Sequence, residues 1–176
     1  MLGDLFQSVL AFVRDHGAWA PLITFVLAFC ESLAFLSLLV PASTILIGVG
    51  ALIGVARLDF FSLWLSAAFG AFMGDWLSYW LGWRYRDRML HVWPLSRHPK
   101  MVENGQLFFR RWGTWSVFLG RFLGPLRAVV PLLAGIMGLP QFLFQLANFV
   151  SAAIWAFVLL APGAFAFHLD WLGWLD

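Results

Sequence analysis

Two arginines, Arg121 and Arg127, stand inside the apolar run VFLGRFLGPLRAVVPLLAG, from Val117 to Gly135. A guanidinium stays charged at any relevant pH and matches phosphate oxygens bidentately, so the pair points to binding of a phosphate or other anionic head group. A charged side chain at bilayer depth costs roughly 2.5–3.5 kcal/mol on insertion scales, and such residues therefore face a cavity or a partner. Six residues apart on an unbroken helix, the two would point about 240° away from each other. Gly124-Pro125 lies between them, and a helix break there turns both guanidinium groups toward one point. Two acids also fall in apolar segments: Glu31 in FCESLAF and Asp75 in GDWLSYWLG. Glu31 is the acid expected to take up and release a proton, as acids do in proton-coupled carriers. Asp75 divides between that proton-coupling role and a structural ion pair. Two acids and two bases form a neutral network when paired, and an anion reaching the arginines would compete with the acids for them. The plainer alternative is that all four form salt bridges holding helices in register.

The elements that must position these charges are membrane segments. Of 176 residues, 62% are hydrophobic and only 11% charged, with eleven Trp and nineteen Phe, and the mean hydropathy is +0.84. A soluble domain carries about 25% charged residues, so the composition is that of an integral membrane protein. Trp gathers at membrane–water interfaces, which fits the same class. A formal charge of +2 gives no reason to expect a nucleic-acid partner. One cysteine, Cys30, excludes an intrachain disulfide and a cysteine metal cluster. His91 and His98 lie seven apart with no nearby Cys or further His, so neither a metal nor another cofactor is expected. Asp4, Asp15 and a late Arg14 stand where a basic leader should begin, so no cleavable signal is expected.

The chain reads as a single membrane domain, 1–176, of all-α class. Residues 1–16 place apolar side chains at helical spacing opposite Asp4, Gln7 and Arg14, an amphipathic helix lying in the interface. The first half, 18–83, begins with an apolar stretch from Ala18 to Ala56, too long for one span and short for two. It predicts one helix and then a re-entrant hairpin near Leu39–Thr44, broken at Pro41. Non-helical backbone at that depth is tolerated only where it is buried or lines a water cavity. Phe60 to Trp83 is a full span. Residues 84–111 form a polar loop with seven Lys or Arg, and the positive-inside rule places it in the cytoplasm. In the second half, 112–168, a segment broken at Gly124, Pro125 and Pro131 precedes a last span, Gln141–Phe167, that ends around Pro162-Gly163. Gln145, Asn148 and Ser151 in that span are expected to hydrogen-bond between helices. The tail after it is interfacial, anchored by Trp171 and Trp174.

The halves rhyme. Each has a Pro/Gly-interrupted apolar segment, a glycine-rich stretch (GVGALIG, AGIMGLP) and a full span, with Val40-Pro41 and Val130-Pro131 in comparable places. Paired interrupted segments are the sequence pointer to an inverted-repeat transporter with a midplane site.

Three stretches resemble the DedA family of bacterial inner-membrane proteins, which share a membrane domain with eukaryotic lipid scramblases. They are FCESLAFLSLLVPAS (Phe29–Ser43), GDWLSYWLGWR (Gly74–Arg84) and GRFLGPLRAVVPLLAGIMGLP (Gly120–Pro140). The third resembles the family pattern G-R-F-x-P-x-x-R-x-x-x-P-x-x-A-G, with Gly124 adding one residue. The resemblance implies two re-entrant hairpins facing each other and lipid transport or scrambling, often dependent on the proton motive force. The cargoes it implies are undecaprenyl phosphate and phospholipids. It carries the family's essential acid onto Glu31 and its two arginines onto Arg121 and Arg127. Many members have a second acid just after the first hairpin proline, where this chain has Pro41-Ala42-Ser43. Ser43 cannot take up and release a proton at neutral pH, so Glu31, alone or with Asp75, has to serve.

The leading expectation is therefore a lipid flippase whose membrane lipid substrate binds by its phosphate to Arg121 and Arg127. A structural or assembly protein is the alternative, and it tolerates Arg127→Lys. A lipid phosphatase is a third reading, but no histidine lies beside the arginines to act as nucleophile. Whether several copies assemble is left open by the sequence.

Overall fold

The computed structural model describes residues 8, 11, 17–33, 42–56, 58–91, 95–97, 99–123 and 126–170. Seven α-helices lie among the described residues: α1 (Ala20–Ser32), α2 (Ala42–Ala56), α3 (Phe60–Tyr85), α4 (Pro99–Trp112), α5 (Trp115–Gly120), α6 (Leu126–Ile136) and α7 (Gln141–Asp170). The described residues contain no strand. The interfacial helix expected over 1–16, apart from residues 8 and 11, and the Trp171 and Trp174 anchors lie outside the described residues.

Two helices, Phe60–Tyr85 and Gln141–Ala164, are long and apolar enough to cross a membrane. At 1.5 Å per residue both exceed the roughly 30 Å hydrocarbon core. Asp59 starts the first of them by accepting a 2.8 Å hydrogen bond from the Ser62 amide. Hydrogen bonds from Ser62, side chain first and then backbone, hold the Asp59 carboxyl below its ordinary value. The same helix stops where Arg86 takes a positive φ of 47° and gives its N–H to the Gly82 carbonyl. The 15 residues of α2 and 11 of α6 are too few to reach across the core.

The long pair α3 and α7 forms the centre. Tyr79 stacks on Phe144 with ring centroids 4.2 Å apart, and Trp64 Nε1 donates to the Ala153 carbonyl at 2.9 Å. The short helices pack crosswise onto it: α2 against α7, and α6 against α3. Small residues permit both approaches, because helices in lipid associate through close backbone packing rather than a hydrophobic drive. On α2 and α7, a Cβ added to Gly50 or Gly163 would meet the backbone of the other helix, at Leu160 or Ala51. On α3 and α6, Gly82 abuts the Leu132 carbonyl, and a Cβ on Gly135 would lie 2.7 Å from the Trp83 nitrogen. Gly135→Ala should therefore cost about 1–3 kcal/mol by overpacking against backbone that has no rotamer to yield. A lowered thermal midpoint in detergent checks this; an unchanged midpoint would mean the helices separate freely.

Several sequence expectations change. Thr44 is helical, because α2 begins at Ala42, while the rest of the expected hairpin up to Pro41 lies outside the described residues. In the second half α5 ends at Gly120 and α6 begins at Leu126, with Gly124 and Pro125 outside the described residues. Pro131 is not a break, because α6 runs through it. The helices α2 and α6 begin at Ala42 and Leu126. The helix of the last span likewise continues through Pro162, to Asp170.

Nor is 84–111 a simple loop. It contains 3-10 turns at Arg86–His91 and Leu95–Arg97, followed by α4. Gly105 and Phe109 of α4 are buried, with Gly105 against Leu133 of α6, while Lys100, Glu103, Arg110 and Arg111 are exposed. Part of the charge that marks a loop by hydropathy, Lys100, Arg110 and Arg111, is here the exposed face of an amphipathic helix.

Candidate functional site: a charged cavity at two helix N-termini

Arg121 is the first residue beyond α5, and Arg127 is the second residue of α6. The interruption between these helices does what an intact helix forbids: both arginines line one cavity of about 340 Å³. Glu31, Ser43, Phe122, Trp155, Val158 and Leu159 complete it. Ser43 is the second residue of α2, so equivalent positions of two short helices meet here. A helix N-terminus carries partial positive charge and unpaired amides, which favours an anion nearby.

The charges form two layers. In the outer layer Glu31 Oε1 accepts from Arg127 Nη1 at 2.8 Å and from Ser43 Oγ. Arg127 Nη2 also lies 3.4 Å from Ser32 Oγ. The Arg127 guanidinium sits over the indole of Trp155, 4.1 Å from the ring centroid. In the inner layer Arg121, only 4% exposed, forms an ion pair with Asp75 of α3. Its Nε donates to Ser151 Oγ at 3.0 Å and its Nη2 to Asn148 Oδ1 at 2.6 Å. Asn148 in turn donates to the Phe72 carbonyl at 3.0 Å, which ties α7 to α3.

Each ion pair is incompletely satisfied. Arg121 Nη1 and Arg127 Nε are buried donors with no acceptor among the described residues, and Glu31 Oε2 and Asp75 Oδ1 are buried acceptors with no donor. Unmade bonds at charged groups are expensive in low dielectric. Unused cationic donors are suited to an oxyanion.

All four sequence-derived charges come together, though not in one role. Arg121, Arg127 and Glu31 line the cavity, whereas Asp75 stands behind it as the counter-ion of Arg121. Asn148 and Ser151, expected as interhelical hydrogen-bonders, bind Arg121. Trp155 was not singled out in the sequence. Its signal was present, since Asn148, Ser151 and Trp155 at i, i+3 and i+7 share one helix face. Trp155→Leu should remove a desolvated cation–π contact of about 2 kcal/mol, while Trp155→Phe keeps part of it. Binding of water-soluble dihexanoyl phosphatidate, read by thermal shift, should fall in the order wild type, Phe, Leu. Equal binding by all three would leave the indole no part in holding Arg127.

The fold and this cavity define an all-helical membrane protein with a charged site buried between its helices. The sequence matches the VTT domain family over residues 40–165. The chain belongs to that family, the DedA family of membrane proteins. It is 33% identical over 156 residues to the inner membrane protein YabI of Escherichia coli K12, covering 88% of this chain and 61% of YabI. It is 31% identical to YghB and 29% identical to YqjA, inner membrane proteins of the same strain. Those matches cover 80% of this chain, with 65% of YghB and 64% of YqjA. The chain thus spans about three-fifths of the length of these curated relatives. No solved structure matches it. Its place is the bacterial inner membrane.

Proposed function

We propose that this chain is a lipid transporter, a flippase or scramblase, for a phosphate-bearing lipid, either undecaprenyl phosphate or a phospholipid. What carries the reading is one observation: two arginines on either side of a helix interruption line a single cavity, and each keeps a buried donor without an acceptor among the described residues. A phosphate would take those donors and compete with Glu31 for Arg127, while the hydrocarbon tail stays in the bilayer. Protonation of Glu31 would free Arg127 for the phosphate, and Asp75 would play the same part toward Arg121. Ser43, where other members have an acid, contributes a hydroxyl that steadies Glu31 but no second proton.

The same reading includes an inverted repeat of two re-entrant segments, α2 in the first half and α6 in the second. Their support is reciprocal packing, with α2 on the long helix of the second half and α6 on that of the first. The corresponding glycines Gly50 and Gly135 serve these two contacts. Residues 84–111 would face the cytoplasm.

The test is translocation of labelled phospholipid and undecaprenyl phosphate in proteoliposomes, with and without a pH gradient. Wild type should move lipid, and Glu31→Gln should move it at a rate indifferent to the gradient. Folded wild-type protein that moves neither lipid sinks the transporter reading and favours an assembly role.

A further inference from the structure

Residues 84–111 carry seven of the eleven Lys and Arg but only two of the nine Asp and Glu. The fold turns that excess into a surface. Arg84, Arg86 and Arg88 are exposed at the end of α3 and in the turn after it, and Lys100, Arg110 and Arg111 are exposed on α4. Aromatic rings fix the level at which this surface lies. Trp83, Tyr85, Trp112 and Trp115 are all exposed at helix ends, where Trp and Tyr mark the headgroup region of a bilayer. Two of the cations stand over these rings, Arg84 at 5.7 Å from the centroid of Tyr85 and Arg111 at 5.9 Å from that of Trp112. The inner side of α4 is already committed to protein. Val102 packs with Met89 and Leu132 of α6, and Phe109 lies in one cluster with Val130 and Ala134 of the same helix.

We infer that the basic face of α4 and the preceding turn is a docking surface for the anionic headgroups of the adjoining leaflet, which hold α4 in place over α6. Charge complementarity names the occupant. A leaflet rich in acidic lipid attracts each nearby Lys or Arg by a factor of about five in a local equilibrium. Cations whose only task was to orient the chain during insertion could sit anywhere in a loop; here they share one face of a helix at the depth of the aromatic rings. The inference does not depend on the transport reading, because the docked lipid stays in its leaflet and is not the cargo. It gives α4 a task of its own: α6 carries Arg127, and α4 is the element that ties α6 to the membrane surface.

The experiment is amide hydrogen exchange of the full chain in phosphatidylcholine nanodiscs, with and without phosphatidylglycerol. Both lipids carry a phosphate, so the Arg121 and Arg127 cavity is served alike in the two discs. Amides of α4 exchange when the helix opens locally, and opening lifts its cations off the surface. Lys100, Arg110 and Arg111, offset by the exposed Glu103, leave an excess of two cations. Phosphatidylglycerol should therefore slow exchange over residues 102–109 by roughly 30-fold at low salt. The slowing should vanish at about 1 M salt, where the screening length is only about 3 Å, and the amides of α7 should not change. The triple variant Lys100→Gln, Arg110→Gln, Arg111→Gln should lose the slowing. Arg110→Lys with Arg111→Lys should keep it, because a diffuse surface needs charge and not a planar fork. Wild-type exchange over α4 that ignores phosphatidylglycerol would overturn the inference, as would slowing that survives in the glutamine variant. Slowing by soluble polyglutamate but not by phosphatidylglycerol would overturn it too, and would assign the face to an acidic protein.

Discussion

Arg121→Met should destabilise the protein by about 3–5 kcal/mol, because it strands the Asp75 carboxylate in a buried position without its cation. Asp75 is 4% exposed, and its Oδ1 already lacks a donor. Asn148 and Ser151 lose the guanidinium as well, so the contact of α7 with α3 is affected. The double replacement Asp75→Leu with Arg121→Met should recover most of that loss, since exchanging a whole buried pair for apolar groups is often neutral. Denaturation in mixed micelles measures both. The double variant then separates structure from function. If it is stable but moves no lipid, Arg121 serves the head-group site; if it moves lipid at the wild-type rate, the inner pair only holds helices together.

Arg127→Lys should reduce lipid translocation about 10–100-fold while leaving the fold intact. Hydrogen bonds to charged groups contribute about 1.5–3 kcal/mol each, which is that range expressed as a rate or affinity. The charge is kept, so Glu31 retains a partner and the cost to stability is small. What is lost is geometry. Arg127 lies over Trp155 and uses Nη1 and Nη2 on Glu31 and Ser32, with Nε left over. A lysine ammonium is a point charge that cannot stack, hold Glu31 and grip a phosphate bidentately together. Translocation by the lysine variant at the wild-type rate would mean that only charge matters, as expected for an assembly protein with a salt bridge.

The sequence by itself determined the class and the cast. A composition of 62% hydrophobic and 11% charged residues requires a membrane solvent, and any ionisable side chain in such a segment must find a partner or a cavity. Glu31, Asp75, Arg121 and Arg127 stand out on that ground alone, whatever they touch. Helix interruption was also legible, because glycine and proline act through the backbone of their own segment. Its location was less so. Pro131 reads as a break in the sequence, yet α6 passes through it. The amphipathic α4 was hidden because its buried side is made of Gly105 and Phe109, and only the presence of α6 makes that a buried side.

Only the tertiary structure decided which charge answers which. Glu31 and Arg127 are 96 residues apart, and Asp75 and Arg121 are 46 apart; pairing at such separations depends on how helices cross, and no periodicity encodes it. The crossings rest on Gly50 with Gly163 and Gly82 with Gly135, where missing side chains let backbones touch. That packing puts Ser43 and Arg127, second residues of two helices from different halves, on the same carboxylate oxygen. It also slides Trp155 beneath Arg127. Residue types set the available chemistry, and helix crossings made a site of it, because a cavity is a property of surfaces that the chain brings together only on folding.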